Sequence, residues 1–220
     1  MARRALPAGC RVGVDALVPL KRLDYAKTRL ATVLDPPGRV RVMRALLDHT
    51  LTQVRAAPSV STVTLVSSAA EAPAIAEAHG VAHFDDRGLP WTDALAAAIA
   101  EAVRADAVAI VSADLPLLTI DDVEGLVSAL GERGAVIARA TDAGTNAVAM
   151  HPAGAMRTTF GSKGSAALHA ELARAAALTP VILDVEGLAH DLDTAQDLED
   201  VLRRSMAPEV RAVLAGALAQ

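Results

Sequence analysis

Two hydrophobic patterns alternate along the chain. Near-continuous apolar runs rich in Val, Ile and Ala cover 12–19, 62–67, 107–112, 135–138, 147–150 and 181–184. Ala- and Leu-rich stretches with apolar residues three and four apart cover 39–56, 71–79, 93–104, 120–131, 165–175, 194–204 and 208–219. The first pattern predicts strands buried on both faces, as in a parallel sheet, and the second predicts amphipathic helices. Their alternation predicts an α/β domain with a mostly parallel sheet. The 220 residues show no internal repeat or linker-like tract, so a single domain over 1–220 is expected. Residues 35–38 and 85–90 read as turn clusters inside it.

Composition narrows the partners. The formal net charge of -5 and an aromatic content of 2% give little grip on nucleic acid, by charge or by stacking. A few local cations would still serve a phosphate ligand. Cys10 is the only cysteine, so an intrachain disulfide and a cysteine zinc site are excluded and a reducing cytoplasm is the expected setting. The basic start lacks a signal peptide's apolar core, and no apolar run reaches the roughly 20 residues that span a bilayer.

In open α/β sheets ligands bind beyond the carboxyl ends of the strands, and here those ends are polar. The first strand empties into a segment carrying Lys21, Arg22, Lys27 and Arg29. Such a loop is either a solvated basic loop or a cradle for a triphosphate. The strand at 107–112 ends in Ala113-Asp114-Leu115-Pro116. Asp114 lies several residues ahead of the next helix, which begins near Thr119, so capping explains it poorly and a ligand or metal role is expected. In His190-Asp191-Leu192-Asp193-Thr194 the two acids are two apart, so an extended backbone points both to one side. One of Asp193 and Thr194 should also cap the helix that follows.

Strand ends would bring Asp114, Asp191 and Asp193 together. Two carboxylates about 4 Å apart repel by roughly 4 kcal/mol at an effective dielectric of 20. A cluster of three therefore requires a cation, and oxygen ligands with retained waters suit Mg2+. Two donor-rich loops, Gly144-Thr145-Asn146 and Phe160-Gly161-Ser162-Lys163-Gly164-Ser165, suggest a pocket for a second, smaller anion, although a Gly/Ser loop can be only a loop. His49, His79 and His83 lack metal-ligand spacing and read as structural or surface residues. His169 could line the Ser165 site, but a satisfied helix histidine is the simpler reading. Phosphate-loop, dinucleotide-binding and nucleophile-elbow signatures are absent.

Taken in order, Pro19-Leu20-Lys21, Ala26-Lys27-Thr28-Arg29-Leu30, Ser112-Ala113-Asp114-Leu115-Pro116, Gly144-Thr145-Asn146, Phe160-Gly161 with Gly164-Ser165, and Asp191-Leu192-Asp193-Thr194 resemble the CofC/FbiD guanylyltransferase family. The likeness runs from about residue 14 to 200 and leaves a C-terminal helix over 205–220. It implies a single-domain, three-layer, glycosyltransferase-A-like (Rossmann-like) nucleotidyltransferase fold with a mostly parallel mixed sheet. The activity it implies joins GMP from GTP to 2-phospho-L-lactate, phosphoenolpyruvate or 3-phosphoglycerate, releasing pyrophosphate, in coenzyme F-420 biosynthesis. Carried over by motif, Lys21, Lys27 and Arg29 would contact the GTP phosphates, and Asp114, Asp191 and Asp193 would hold magnesium. Thr145, Asn146, Gly161 and Ser165 would hold the acceptor. The wording of the first loop resembles actinobacterial members and favours phosphoenolpyruvate.

Two departures stand out. The family carries Leu-Asn-x-Ala-[Leu/Ile] near the nucleotide, where this chain reads Trp91-Thr92-Asp93-Ala94-Leu95, so Thr92 replaces the Asn. The acceptor loop is also one residue longer before its serine, which leaves Ser162 as an alternative to Ser165. The implied chemistry needs no general base, because the acceptor phosphate is already an anion. A related enzyme using another triphosphate and a sugar or polyol phosphate is the competing reading, and a catalytically silent nucleotide-binding module is the non-enzymatic one. A homodimer is a further expectation, with the C-terminal helix as a candidate contact.

Overall fold

Among the described residues, seven strands pair into one sheet: β1 (Val14–Pro19), β2 (Val60–Val66), β3 (Ala82–Phe84), β4 (Ala107–Val111), β5 (Gly134–Arg139), β6 (Thr145–His151) and β7 (Thr179–Leu183). The computed structural model describes residues 13–21, 23 and 27–218, so Cys10, Arg22 and the last two positions lie outside the described residues. The strand order is β3-β2-β1-β4-β6-β5-β7. Every neighbouring pair is parallel except those of β6, which runs antiparallel to both β4 and β5. The chain reverses its direction of winding between β1 and β4, which opens a crevice beyond their carboxyl ends. Because β6 is antiparallel, its first residues, Thr145 and Asn146, arrive at that same edge.

Among the described residues, eight α-helices flank the sheet: α1 (Pro36–Ala56), α2 (Ala72–His79), α3 (Trp91–Ala102), α4 (Ile120–Ser128), α5 (Ser165–Ala175), α6 (Glu186–Ala189), α7 (Ala195–Leu202) and α8 (Pro208–Leu218). Alternate residues of one strand enter different cores. Ala107, Ala109 and Val111 of β4 pack with Leu47 and Leu51 of α1, Ile75 of α2 and Leu126 of α4. Val108 and Ile110 pack on the other face with Leu95 of α3 and Ala170 and Ala173 of α5. Two-sided burial is therefore why the central strands read as continuous apolar runs. A third core joins Leu30 and the outer side of α1 to α7 and α8. Fully burying one such Leu contributes about 1.5–3 kcal/mol.

Most sequence-predicted elements are present, with informative shifts at their ends. The expected turn 35–38 is instead the start of α1: the Asp35 carboxylate accepts from the Gly38 N–H at 2.7 Å, and Pro36 begins the helix. Thr119 and Thr194 cap α4 and α7 in capping boxes with Asp122 and Asp197, which leaves Asp114 and Asp193 free of capping. The expected loop Gly144-Thr145-Asn146 is in fact the entry into β6, with Thr145 and Asn146 buried. Val210, Leu214 and Ala217 of α8 are buried against α1 and α7. No helix among the described residues is long and apolar enough to cross a membrane.

Candidate active site

The ends of β1, β4 and β6 and the segment before α7 converge on one cluster of charge. The Leu192 N–H donates to the Asp114 carbonyl at 3.2 Å, which sews the 191–193 segment to the end of β4. Asp114, Asp191 and Asp193 each place a carboxylate oxygen within 4.8 Å of the others. A positive charge is already there. Lys27 Nζ donates to Asp114 Oδ2 at 2.5 Å and to Asp193 Oδ1 at 2.8 Å, and its side chain is only 4% exposed. Lys27 itself holds the left-handed conformation, φ 56 and ψ 38, at the head of a 3-10 turn over Thr28–Leu30. That geometry costs a non-glycine residue about 1–2 kcal/mol, and the two ion pairs offset it.

The electrostatics follow from this packing. Burial alone would lower the Lys27 pKa, but the charges of Asp114 and Asp193 outweigh it and push it up to about 12. Asp193 feels burial in the opposite sense, and the Lys27 ammonium still holds it below the ordinary carboxylate range. Asp191 lacks that partner. Burial, reinforced by the neighbouring Asp114 charge, pushes it up to about 6, while the Asn146 amide donates to its Oδ1 at 3.1 Å and resists the rise. The cluster thus has unmet demand for positive charge at Asp191. Hard carboxylate oxygens at this separation fit a divalent ion such as magnesium.

A cavity of about 360 Å³ opens over the cluster. Lys21 and Lys27 supply cations to its walls, the three aspartates supply anions, and Thr145, Asn146, Phe160 and Gly161 form a neutral wall. Trp91, at the start of α3, lines it too, with Lys21 Nζ 5.4 Å from the ring centroid. The arrangement can neutralise one polyanion and present uncharged donors to another.

Other expected residues lie elsewhere. Arg29 is 73% exposed and reaches the cluster only at its rim, 3.8 Å from Asp193 Oδ2. Thr92 faces a separate cavity of about 380 Å³ between α3 and residues 153–158. Helix α3 begins at Trp91, earlier than its pattern suggested, and each helical residue turns by about 100°, so Trp91 takes the pocket and Thr92 turns away. Ser165 is fully buried behind the neutral wall, where its hydroxyl meets that of Thr145 at 2.9 Å. His169 is also fully buried and hydrogen bonded, the satisfied helix histidine that the sequence suggested. His49 bonds the Leu118 carbonyl, His79 meets Asp48 and His83 bonds the Ser67 carbonyl, all away from the cavity. Sequence reasoning missed Trp91 and Phe160 as pocket residues. The available signal was compositional: the chain has only four aromatic residues, and two of the three that are described line this cavity.

Comparison with known proteins agrees with the geometry. Residues 14–211 match the family described as Guanylyl transferase CofC like. A phosphoenolpyruvate guanylyltransferase of Sphaerobacter thermophilus is 42% identical over 189 residues, covering 84% of this chain and 91% of that protein. A 2-phospho-L-lactate guanylyltransferase of Methanothermobacter thermautotrophicus is 29% identical over 192 residues, covering 85% and 83%. The crystal structure of a nucleotide-diphospho-sugar transferase from Desulfovibrio desulfuricans G20 superposes with a TM-score of 0.78 at 19% identity, covering 94% of this chain and 96% of that one. That likeness is one of fold.

Proposed function

The chain belongs to the CofC-like guanylyl transferase family, and from that premise we propose that it transfers GMP from GTP to phosphoenolpyruvate, with 2-phospho-L-lactate and 3-phosphoglycerate as the competing acceptors. The chain is a nucleotidyltransferase by its family and its fold. The family implies that the product feeds coenzyme F-420 assembly. The observation that carries the reading is the three-carboxylate cluster with Lys27 inside it, set between a cationic lobe and a neutral wall in one cavity.

The reaction joins two anions, and the residues divide that task. Lys21 and Lys27 face the triphosphate and offset its charge, with Arg29 at the rim. Asp114, Asp191 and Asp193 would hold magnesium, which when bound would supply positive charge to offset that of the triphosphate. Thr145, Asn146 and Gly161 receive the acceptor on the neutral wall, and Ser165 supports Thr145 from behind. A phosphate oxygen of the acceptor bonds to the α-phosphorus of GTP while the α–β bridging bond breaks. Its electron pair leaves on pyrophosphate, whose charge the two lysines stabilise. The nucleophile is already ionised, so the step requires no general base. All these groups come from one chain.

The test is pyrophosphate release with magnesium and GTP, comparing the three acids at equal concentration. Release that depends on phosphoenolpyruvate is expected. Silence with all three acids, from folded protein that still binds a nucleotide, would turn the reading toward a nucleotide-binding module. A competition among GTP, ATP and CTP measures base choice, because Thr92 lies outside the cavity. Equal use of CTP would contradict selection of guanine.

A further inference from the structure

The neutral wall is held from behind by one imidazole. Thr145 Oγ1 lies 3.0 Å from His169 Nδ1 and 2.9 Å from Ser165 Oγ. On the far side of the same ring, the Thr159 backbone N–H donates to His169 Nε2 at 2.8 Å. A backbone amide can only donate, so Nε2 must be the bare nitrogen and the neutral ring carries its proton on Nδ1. Thr145 Oγ1 lies within reach of that proton, as does the Ser165 backbone carbonyl one turn back along α5. The threonine's own proton is then available to Ser165 or to a ligand in the cavity.

The ring sits where three pieces of the wall meet. Ser165 and His169 are four residues apart on α5, hence on one helical face, and both are fully buried. Thr145 opens β6, and Thr159 leads directly into Phe160 and Gly161, which line the cavity beside Thr145. Phe160 also packs edge-on against the imidazole, with centroids 5.2 Å apart. Any buried imidazole needs hydrogen-bond partners. Each partner here is itself part of the wall or continuous with it. Burial keeps the ring neutral, holding its pKa down to about 4, so the tether persists throughout the neutral range.

We propose that His169 is a positioning residue for acceptor binding: its Nδ1–H orients the Thr145 hydroxyl while its Nε2 anchors the backbone that carries Phe160 and Gly161. It does not touch substrate. The ligand it serves is the small phosphorylated acid, so the inference rests on the neutral wall being the acceptor site.

Nitrogen-15 NMR of the histidine-labelled wild-type protein at pH 7 tests the tether without any substitution. His169 should show a protonated Nδ1 and a bare Nε2, and a protonated Nε2 overturns the proposal. Kinetics then separate the roles. His169→Leu, which fills the volume and loses both polar contacts, should raise KM for the acid about tenfold, the worth of one well-placed hydrogen bond. KM for GTP should stay within about twofold. His169→Asn, which keeps a donor toward Thr145, should recover part of the loss. Equal changes in both KM values, or none in a folded variant, overturn the proposal. Thr145→Val distinguishes the two ways of failing. If it too leaves the acid KM unchanged, the wall is not the acceptor site and the premise falls. If it raises that KM while His169→Leu does not, the tether alone is wrong.

Discussion

Replacing Lys27 by methionine removes a buried ammonium and keeps most of the side-chain volume. In the parent that ammonium touches Asp114 and Asp193, whose side chains are 23% and 42% exposed. Removing one partner of a fully buried ion pair costs about 3–5 kcal/mol. Water reaches both carboxylates, so screening reduces this to on the order of 2 kcal/mol. Asp191, already pushed up to about 6 with the ammonium present, would rise further and take up a proton, which also limits the penalty. For a chain of this size 2 kcal/mol corresponds to about 4–8 °C in Tm. The assay is thermal unfolding of Lys27→Met and parent in metal-free buffer, repeated with millimolar magnesium. In metal-free buffer the variant should melt lower by that amount. Magnesium should then restore more stability to the variant than it adds to the parent, because the ion supplies the missing charge. A variant that melts with the parent and responds identically to magnesium would refute the placement of Lys27 as counter-ion to the cluster.

Three further outcomes follow from the same geometry. Asp114→Asn should lower turnover by about 100-fold or more while Tm moves by only a few degrees, since Lys27 keeps its bond to Asp193; near-parental turnover would remove Asp114 from the metal site. Stability should fall on acidification through His169: its pKa, down to about 4 in the fold against about 6.5 unfolded, means the unfolded chain binds the proton first. The contribution is complete above about pH 6.5 and drains away toward pH 4, on the order of 3 kcal/mol in all; denaturant unfolding of His169→Gln should show a flatter pH profile, and an unchanged slope would contradict the assignment. Trp91 is the only tryptophan and lines the cavity, so adding GTP with magnesium should change its emission, and a silent titration with a nucleotide that binds would place the nucleotide elsewhere.

The scaffold was legible where burial was two-sided. The runs at 107–112 and 135–138 are apolar on both faces because helices cover both faces of β4 and β5, and no other local structure competes. Strand β3 went unseen because it is three residues long and none is fully buried. The gathering of Asp114, Asp191 and Asp193 was readable from strand ends and a two-residue spacing, since topology alone carries them to one edge. The position of the Lys27 ammonium was not readable. It depends on a left-handed backbone at a residue type that seldom adopts one, stabilised by partners 87 and 166 positions away. Thr145 and Asn146 read as loop because they are polar and follow a glycine. They are strand residues, and burial of their side chains is tolerated because each finds a hydrogen-bond partner at the ligand edge. Thr92 was misplaced by the angular step that follows from starting α3 at Trp91.

The most direct measurement follows the label from GTP. The protein, magnesium and phosphoenolpyruvate are incubated with GTP carrying radioactive phosphorus at the α position and, separately, at the γ position. Guanylyl transfer puts the α label into a product that also contains the acid and the γ label into pyrophosphate. A γ label found on the acid, or as free orthophosphate with the α label left on GDP, would contradict it.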